Sequence, residues 1–259
     1  MLAVFEKAVA KPPEELNVSA GWMVPNTRFD IPEVFKAARP QATFYNFPNG
    51  NFMALSHATQ NLHHRSMVVV DEIFCIFIGI IDNIWELRRH YGLGRQATEP
   101  VLVVEMYRVL RERAPYPPDQ MVRDLNGKFA FVLFDARRGS LFAARVRKVR
   151  MLWGISEDES LVFSDDGEIM MDVCGISSAS FPAGCIFINA GEGLVHVDHP
   201  RHKVRGIRRE DEDGMVNGVL FQVDLFTRLP SVPRVGSAAN WAGAAAAAPS
   251  PGGDEDGTP

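Results

Sequence analysis

The densest grouping of possible metal ligands in the chain is His196-x-Asp198-His199-x-x-His202. Imidazole nitrogens and a carboxylate suit zinc or nickel. The spacing matches no strong metal signature, however, and Pro200 breaks any helical register between the histidines. A strand end and turn without a bound metal is therefore expected. His63-His64 would direct its two rings to opposite sides of an extended chain and reads as surface loop. Cys75, Cys174 and Cys185 lack close CxxC spacing, which disfavours both a disulfide framework and a structural zinc site. Cys75 is the nearest alternative to a hydrolytic nucleophile, but its apolar surroundings, IFCIFIGII, raise a thiol pKa. The sequence contains no G-x-G-x-x-G, P-loop, H-E-x-x-H or G-x-S-x-G pattern. No cofactor is expected.

Positioning elements follow from the hydropathy pattern. Leu2–Phe5 reads as a short strand and 11–40, rich in proline, as loop. Strands over 66–70 and 73–81 flank Asp71-Glu72, the polar turn of a hairpin. Helices are expected over 83–90, 99–113 and 118–125, the first ended by Gly92. Strands over 128–135, 141–144, 151–155 and 161–163 come next, then a short helix over 166–171 capped by Asp165. Further strands are expected over 185–189, 194–197 and 219–223. Central helices flanked by antiparallel-type strands give an α+β domain over 1–229, large enough for two packed sheets. The segment 230–259, rich in Ala, Pro and Gly, reads as a disordered tail.

With 46% hydrophobic and 23% charged residues, the 259-residue chain has a globular composition. Its net charge of -5 offers no general basis for binding nucleic acid. RVRKVR over 145–150 reads as a solvated strand edge, and the basic run 201–209 is offset by acids over 210–213. The apolar run 73–81 is far short of the ~20 residues that span a bilayer, so no membrane span is expected.

Tyr91-Gly92-Leu93 and Leu110-Arg111-Glu112-Arg113 bring in a resemblance. With MLAVF, VVDEIFCIF, PYPPDQMVRDLNGKFAFVLFD, SDD, FPAGC and His199-Pro200, they resemble the plant aluminium-induced, stress-responsive proteins named for YGL and LRDR motifs. The departures are Glu112, where that family has Asp, and the basic stretch 145–150. Both motifs also have a structural account. Gly92 can end a helix in the left-handed conformation, and the arginines sit near a helix C-terminus.

That family is similar in turn to the glutaminase domain of class II glutamine amidotransferases. The matching blocks are LNGKFAFVLFD, IGIIDN and Leu152-Trp153-Gly154. The resemblance implies an N-terminal-nucleophile hydrolase fold, a four-layer αββα sandwich of two mainly antiparallel sheets. It also implies a lapsed site. Leu2 stands where a Cys, Ser or Thr nucleophile is required. Ile78 stands for the oxyanion-hole Asn, Ile80 for a Glu, and Ala97 near an Asp that holds glutamine, while Gly79 is retained. The vestigial pocket is expected around Leu2, Ile78, Gly79, Asp82 and Asn83, with no catalytic residue. The resulting expectation is a non-catalytic, stress-associated binding or interaction protein of the cytoplasm, with the nucleus as a second compartment. Its partners would be a second copy, an unidentified protein or a small molecule. The alternatives are a small-molecule sensor and an amidohydrolase with a non-standard nucleophile.

Overall fold

In the computed structural model, the described residues are 1–17, 26–57, 64–112, 118–146, 148–189, 193–210, 212 and 216–228. All fall in the compact unit Met1–Arg228; the expected tail 230–259 and Arg113 lie outside them. The first half of the unit contains β1 (Leu2–Phe5), α1 (Ile31–Ala38), β2 (Thr43–Asn46), β3 (Phe52–Leu55), β4 (Arg65–Val70) and β5 (Ile73–Ile81). Three helices follow, α2 (Ile84–His90), α3 (Glu99–Glu112) and α4 (Pro118–Arg123). Next come β6 (Gly127–Asp135), β7 (Ser140–Val146), β8 (Leu152–Ile155), β9 (Leu161–Ser164) and α5 (Gly167–Cys174). The last strands are β10 (Ser178–Ser180), β11 (Cys185–Ile188), β12 (Gly193–His196), β13 (His202–Glu210) and β14 (Val216–Arg228). The class is mixed α+β.

The fourteen strands form one hydrogen-bonded order, β2-β3-β1-β9-β8-β10-β14-β13-β12-β11-β7-β6-β5-β4. Every pairing is antiparallel except β10 with β14. Two runs of strands are joined through the single register pair Val195↔Lys203 between β12 and β13.

Strand alternation sorts side chains into separate apolar clusters. On β1, Leu2 and Val4 join Ile31 and Phe35 of α1 and Ile169 and Val173 of α5. Ala3 and Phe5, on the opposite face, meet Ile76 and Ile78 of β5 and Val132 and Phe134 of β6. The alternate residues of β5 and β6, such as Phe77 and Phe131, pack with Leu102 and Met106 of α3 and Met121 of α4. The Phe5 and Phe134 rings lie 4.8 Å apart, and Trp153 lies 4.9 Å from Phe181.

Several sequence expectations need correction. The loop expected over 11–40 contains α1, whose short pattern places only Ile31 and Phe35 in the core, behind Pro32 in its first turn. The strands β2, β3, β10 and β13 are additions. Arg145 and Val146, the first two residues of the expected edge, belong instead to β7, which is paired on both sides, with β6 and β11. Helix α5 is capped by Asp166, which accepts from the Glu168 N–H at 3.1 Å, and not by Asp165. The carboxylate of Asp165 is taken up by Arg65 and the Met1 ammonium.

At Gly79 and Gly127 the facing backbone of the β5–β6 pair leaves no room for a side chain. Gly79 has φ +117°, and a Cβ there would sit 2.0 Å from the Lys128 carbonyl oxygen. Gly79→Ala is expected to lower stability by about 2–4 kcal/mol, read from the midpoint of urea unfolding. An unchanged midpoint would show that the strand pair tolerates a side chain.

Candidate functional site

The β1–β9 register sets Leu2 opposite Ser164, which brings Met1 beside Asp165. Met1 is 2% exposed and Asp165 8%. The Met1 ammonium donates to Asp165 Oδ1, and Arg65 Nη2 of β4 pairs with Asp165 Oδ2 at 2.5 Å. Ser164 Oγ donates to the Met1 carbonyl at 2.8 Å and accepts the Asp166 N–H at 3.1 Å. Arg39, following α1, pairs with Asp166 Oδ2 at 2.5 Å. Burial pushes the Met1 ammonium below its ordinary pKa; the nearby Arg65 cation acts the same way, and Asp165 opposes both.

Met1, Arg39, Arg65, Asp165 and Asp166 line a cavity of about 690 Å³. Arg150, Ser56, Glu168 and Asp172 complete its charged and polar lining. Gly167 starts α5 directly under Arg150, whose Nη2 lies 2.2 Å from where a Cβ would stand. The glycine thus lets a guanidinium cross the helix start. Two of the three arginines are neutralised by Asp165 and Asp166. The mixed charges suit a small polar or zwitterionic molecule. Among the described lining residues there is no cysteine or threonine, and the only hydroxyl belongs to buried Ser56.

The five residues expected around a vestigial pocket are distributed differently. Leu2 is fully buried under α1 and α5, and Ile78 is packed in the cluster with Ala3 and Phe5. The Gly79 N–H donates to the His64 carbonyl at 2.8 Å. Asp82 and Asn83 precede α2, where Asn83 ties Asp124 and Asn126 through its side-chain amide. None of the five is among the residues lining the cavity at Met1. Sequence reasoning missed Met1, Arg39, Arg65, Arg150 and Asp166. The doubled acid in SDD and the arginine after His63-His64 were the available signals.

Tyr91-Gly92-Leu93 and Leu110-Arg111-Glu112 occupy helix ends. Gly92 has φ +66°; its N–H donates to the Arg89 carbonyl, and the Leu93 N–H reaches the Arg88 carbonyl at 2.7 Å. This paired closure satisfies the last turn of α2. Arg111 pairs with fully buried Asp135 at 3.1 Å, and Tyr107 donates to the same carboxylate at 3.2 Å. Glu112 is exposed and approaches only the rim of Arg111 among the described residues, at 3.4 Å.

The remaining constellations are structural. Arg145 donates to the Val149 carbonyl at 2.6 Å and to Ser180 Oγ at 2.7 Å, so it fastens the loops beside β7. His196 and His199 stack with ring centroids 5.1 Å apart. His196 Nδ1 accepts the N–H groups of both Asp198 and His199 at 3.2 Å. Among the described residues no group of three His, Cys, Asp or Glu could hold a metal ion. Burial of Cys75 raises its thiol pKa well above the ordinary value.

The sequence model of a family described as aluminium-induced protein matches residues 2–223. The stem-specific protein TSJT1 of Nicotiana tabacum is 53% identical over 149 residues, 56% of this chain and the whole of that protein. Among solved structures, the glutamine phosphoribosylpyrophosphate amidotransferase of B. subtilis, complexed with ADP and GMP, is 14% identical with a TM-score of 0.41. That match covers 56% of this chain and 34% of the other. A structure of the allosteric regulatory enzyme of purine biosynthesis matches at 14% identity and TM-score 0.36, covering 54% of this chain and 30% of that one. The chain thus spans only about a third of either solved chain.

Asp165→Asn removes the counter-charge of the buried Met1 ammonium and of half-buried Arg65 and should cost about 3–5 kcal/mol in chemical denaturation. A loss near zero would mean that the pair is solvated. His196 has a pKa below the ordinary 6.5, through burial first and then the nearby His199. Its neutral ring therefore contributes stability that is complete above pH 6.5 and shrinks as pH falls below it. His196→Asn keeps an acceptor without titrating. It should flatten the fall in melting temperature between about pH 7 and about pH 5; an equal fall in both proteins would remove His196 as the cause.

Proposed function

Since the chain belongs to the aluminium-induced protein family, we propose that it is a catalytically lapsed, glutamine-amidotransferase-like binding protein acting in plant stress responses. The proposed architecture is a four-layer αββα sandwich over 1–229, followed by a disordered tail over 230–259. Three apolar clusters support the layering: one joins α1 and α5 to β1, one joins β1 to β5 and β6, and one joins β5 and β6 to α3 and α4. The sequence blocks shared with amidotransferases support the ancestry, and the stress role rests on the family.

One observation carries the loss of catalysis. Leu2, at the nucleophile position of the resemblance, is fully buried beneath α1 and α5, while a charged cavity persists beside it at Met1. A hydrocarbon side chain provides neither a nucleophile nor a proton acceptor. The retained capacity is recognition of a small polar molecule, a sensor-like role, or of a protein. Ile80 and Trp85, 51% and 66% exposed, are surfaces open to a second copy or another partner. The vestigial-pocket assignment of Leu2, Ile78, Gly79, Asp82 and Asn83 belongs to this ancestry and not to the present cavity. The reading places the protein in the cytoplasm and also the nucleus. Among the described residues no helix is long and apolar enough to cross a membrane. The hydrolase alternative through Cys75 is disfavoured by that thiol's complete burial.

The test combines an intact mass of the protein from its own cells with ammonia release from glutamine and asparagine. The expected result is a retained Met1-Leu2 start and no turnover. Thermal shift against amino acids and nucleotides should find a stabilising ligand whose effect is lost in Arg150→Ala. Turnover abolished by Cys75→Ala, or a mature chain beginning at Ser, Thr or Cys, would overturn the proposal.

A further inference from the structure

A second cavity, of about 290 Å³, lies where the ends of α2, α3 and α4 meet. Its wall includes Met106 and Leu110 of α3, Met121 of α4, and His90, Tyr91 and Asp124. Both family motifs therefore contribute a side chain, Tyr91 from YGL and Leu110 from the LRDR-like block. The helix-end closure at Gly92 and the Arg111–Asp135 pair fix the backbone from which these two side chains project.

The floor is apolar and polarizable. Met106 and Met121 are buried, and thioethers pack well against aromatic rings. The rim is electrostatically one-sided. Asp124 is its only carboxylate, and among the described residues that carboxylate has no hydrogen bond or ion pair. Its backbone carbonyl accepts from Asn83 Nδ2 at 2.8 Å, which fixes the residue in place. Three arginines adjacent in sequence to the lining or to α2's end, Arg88, Arg108 and Arg123, have partners of their own. Arg123 donates twice to the Val197 carbonyl, at 2.9 and 2.6 Å. Arg88 donates to the Ala97 carbonyl at 2.7 Å and lies over the Trp85 ring at 5.0 Å. Arg108 pairs with Glu105 and Asp71. Helix C-termini also carry negative partial charge, and the ends of three helices converge here.

From this cavity, its aromatic and thioether wall and its unpaired carboxylate, we infer a binding site for a small organic cation with an apolar body, of the arylalkylamine class. The body lies against Met106, Met121 and the Tyr91 ring. The ammonium group reaches Asp124, and a cation near an aromatic face gains additional attraction. The site is separate from the cavity at Met1, with which it shares no lining residue.

The test is an NMR titration of the full chain with three probes of similar shape: 2-phenylethylamine, 2-phenylethanol and phenylacetate. The amine is expected to give saturable shifts at Tyr91, Leu110 and the Met121 methyl. The alcohol should bind roughly tenfold more weakly and the anion more weakly still. Asp124→Asn, an exposed substitution, should reduce the amine to the affinity of the alcohol and leave the alcohol unchanged. Arg150→Ala should leave every titration as it was, so failure of the cavity at Met1 would be distinguishable. Equal binding of amine and alcohol, an unaffected Asp124→Asn protein, shifts mapping to the Met1 cavity, or no saturable shift with any probe would overturn the inference.

Discussion

Asp165 is a carboxylate that the fold cannot leave alone. Buried charge is costly unless it is paired, and removing one partner of a buried pair costs far more than the pair itself contributes. The two partners arrive from opposite ends of the strand order. Met1 precedes β1, near one end, and Arg65 opens β4, at the other. The requirement to neutralise one side chain thus ties the last strand at one end of a fourteen-stranded order and the third from the other end to a single point. It also displaces the α5 cap by one residue, to Asp166, which recruits Arg39 in turn. A charged cavity is the by-product of this arrangement.

Around that point the rest is mostly period-two patterning. β1 serves two apolar clusters with four residues, and β5 and β6 do the same with nine each. Such strands have no solvated face, which is why they read as continuous apolar runs. Close approach of β5 and β6 is bought with glycine at 79 and 127, both at positive φ. Two helix ends act in a related way: Tyr91-Gly92-Leu93 closes α2, while the end of α3 delivers Arg111 to a carboxylate with no exposed surface.

Much of the fold was legible because long elements carry strong periodicity. The β4–β5 hairpin, with Asp71 and Glu72 at positive φ in its turn, follows directly from the apolar runs that flank it. Helix α1 was not legible, since eight residues containing Pro32 place only two side chains in the core. β13 was hidden because its outward row of arginines resembles a solvated charge run. The site was less legible than the fold. Its members, Met1, Arg39, Arg65, Arg150 and Asp165, are scattered along the chain and converge only through non-local strand pairing. Aligned motifs pointed to Ile78 and Gly79, whose side chain and N–H are committed to packing and to the His64 carbonyl.

The pairing of β1 sets an order of events during synthesis. Leu2 is made long before its partner Ser164 on β9, which lies 162 residues further on, and Ala54 on β3 secures only one side. At ~5–20 residues per second, β1 waits roughly 10–30 s for its second neighbour. Until then an apolar strand edge stands open on the ribosome, while β4 to β7 can already pair locally. Among the described pairings, β1 therefore waits longest for its second neighbour, and the nascent chain has a long window in which a holding chaperone has something to hold.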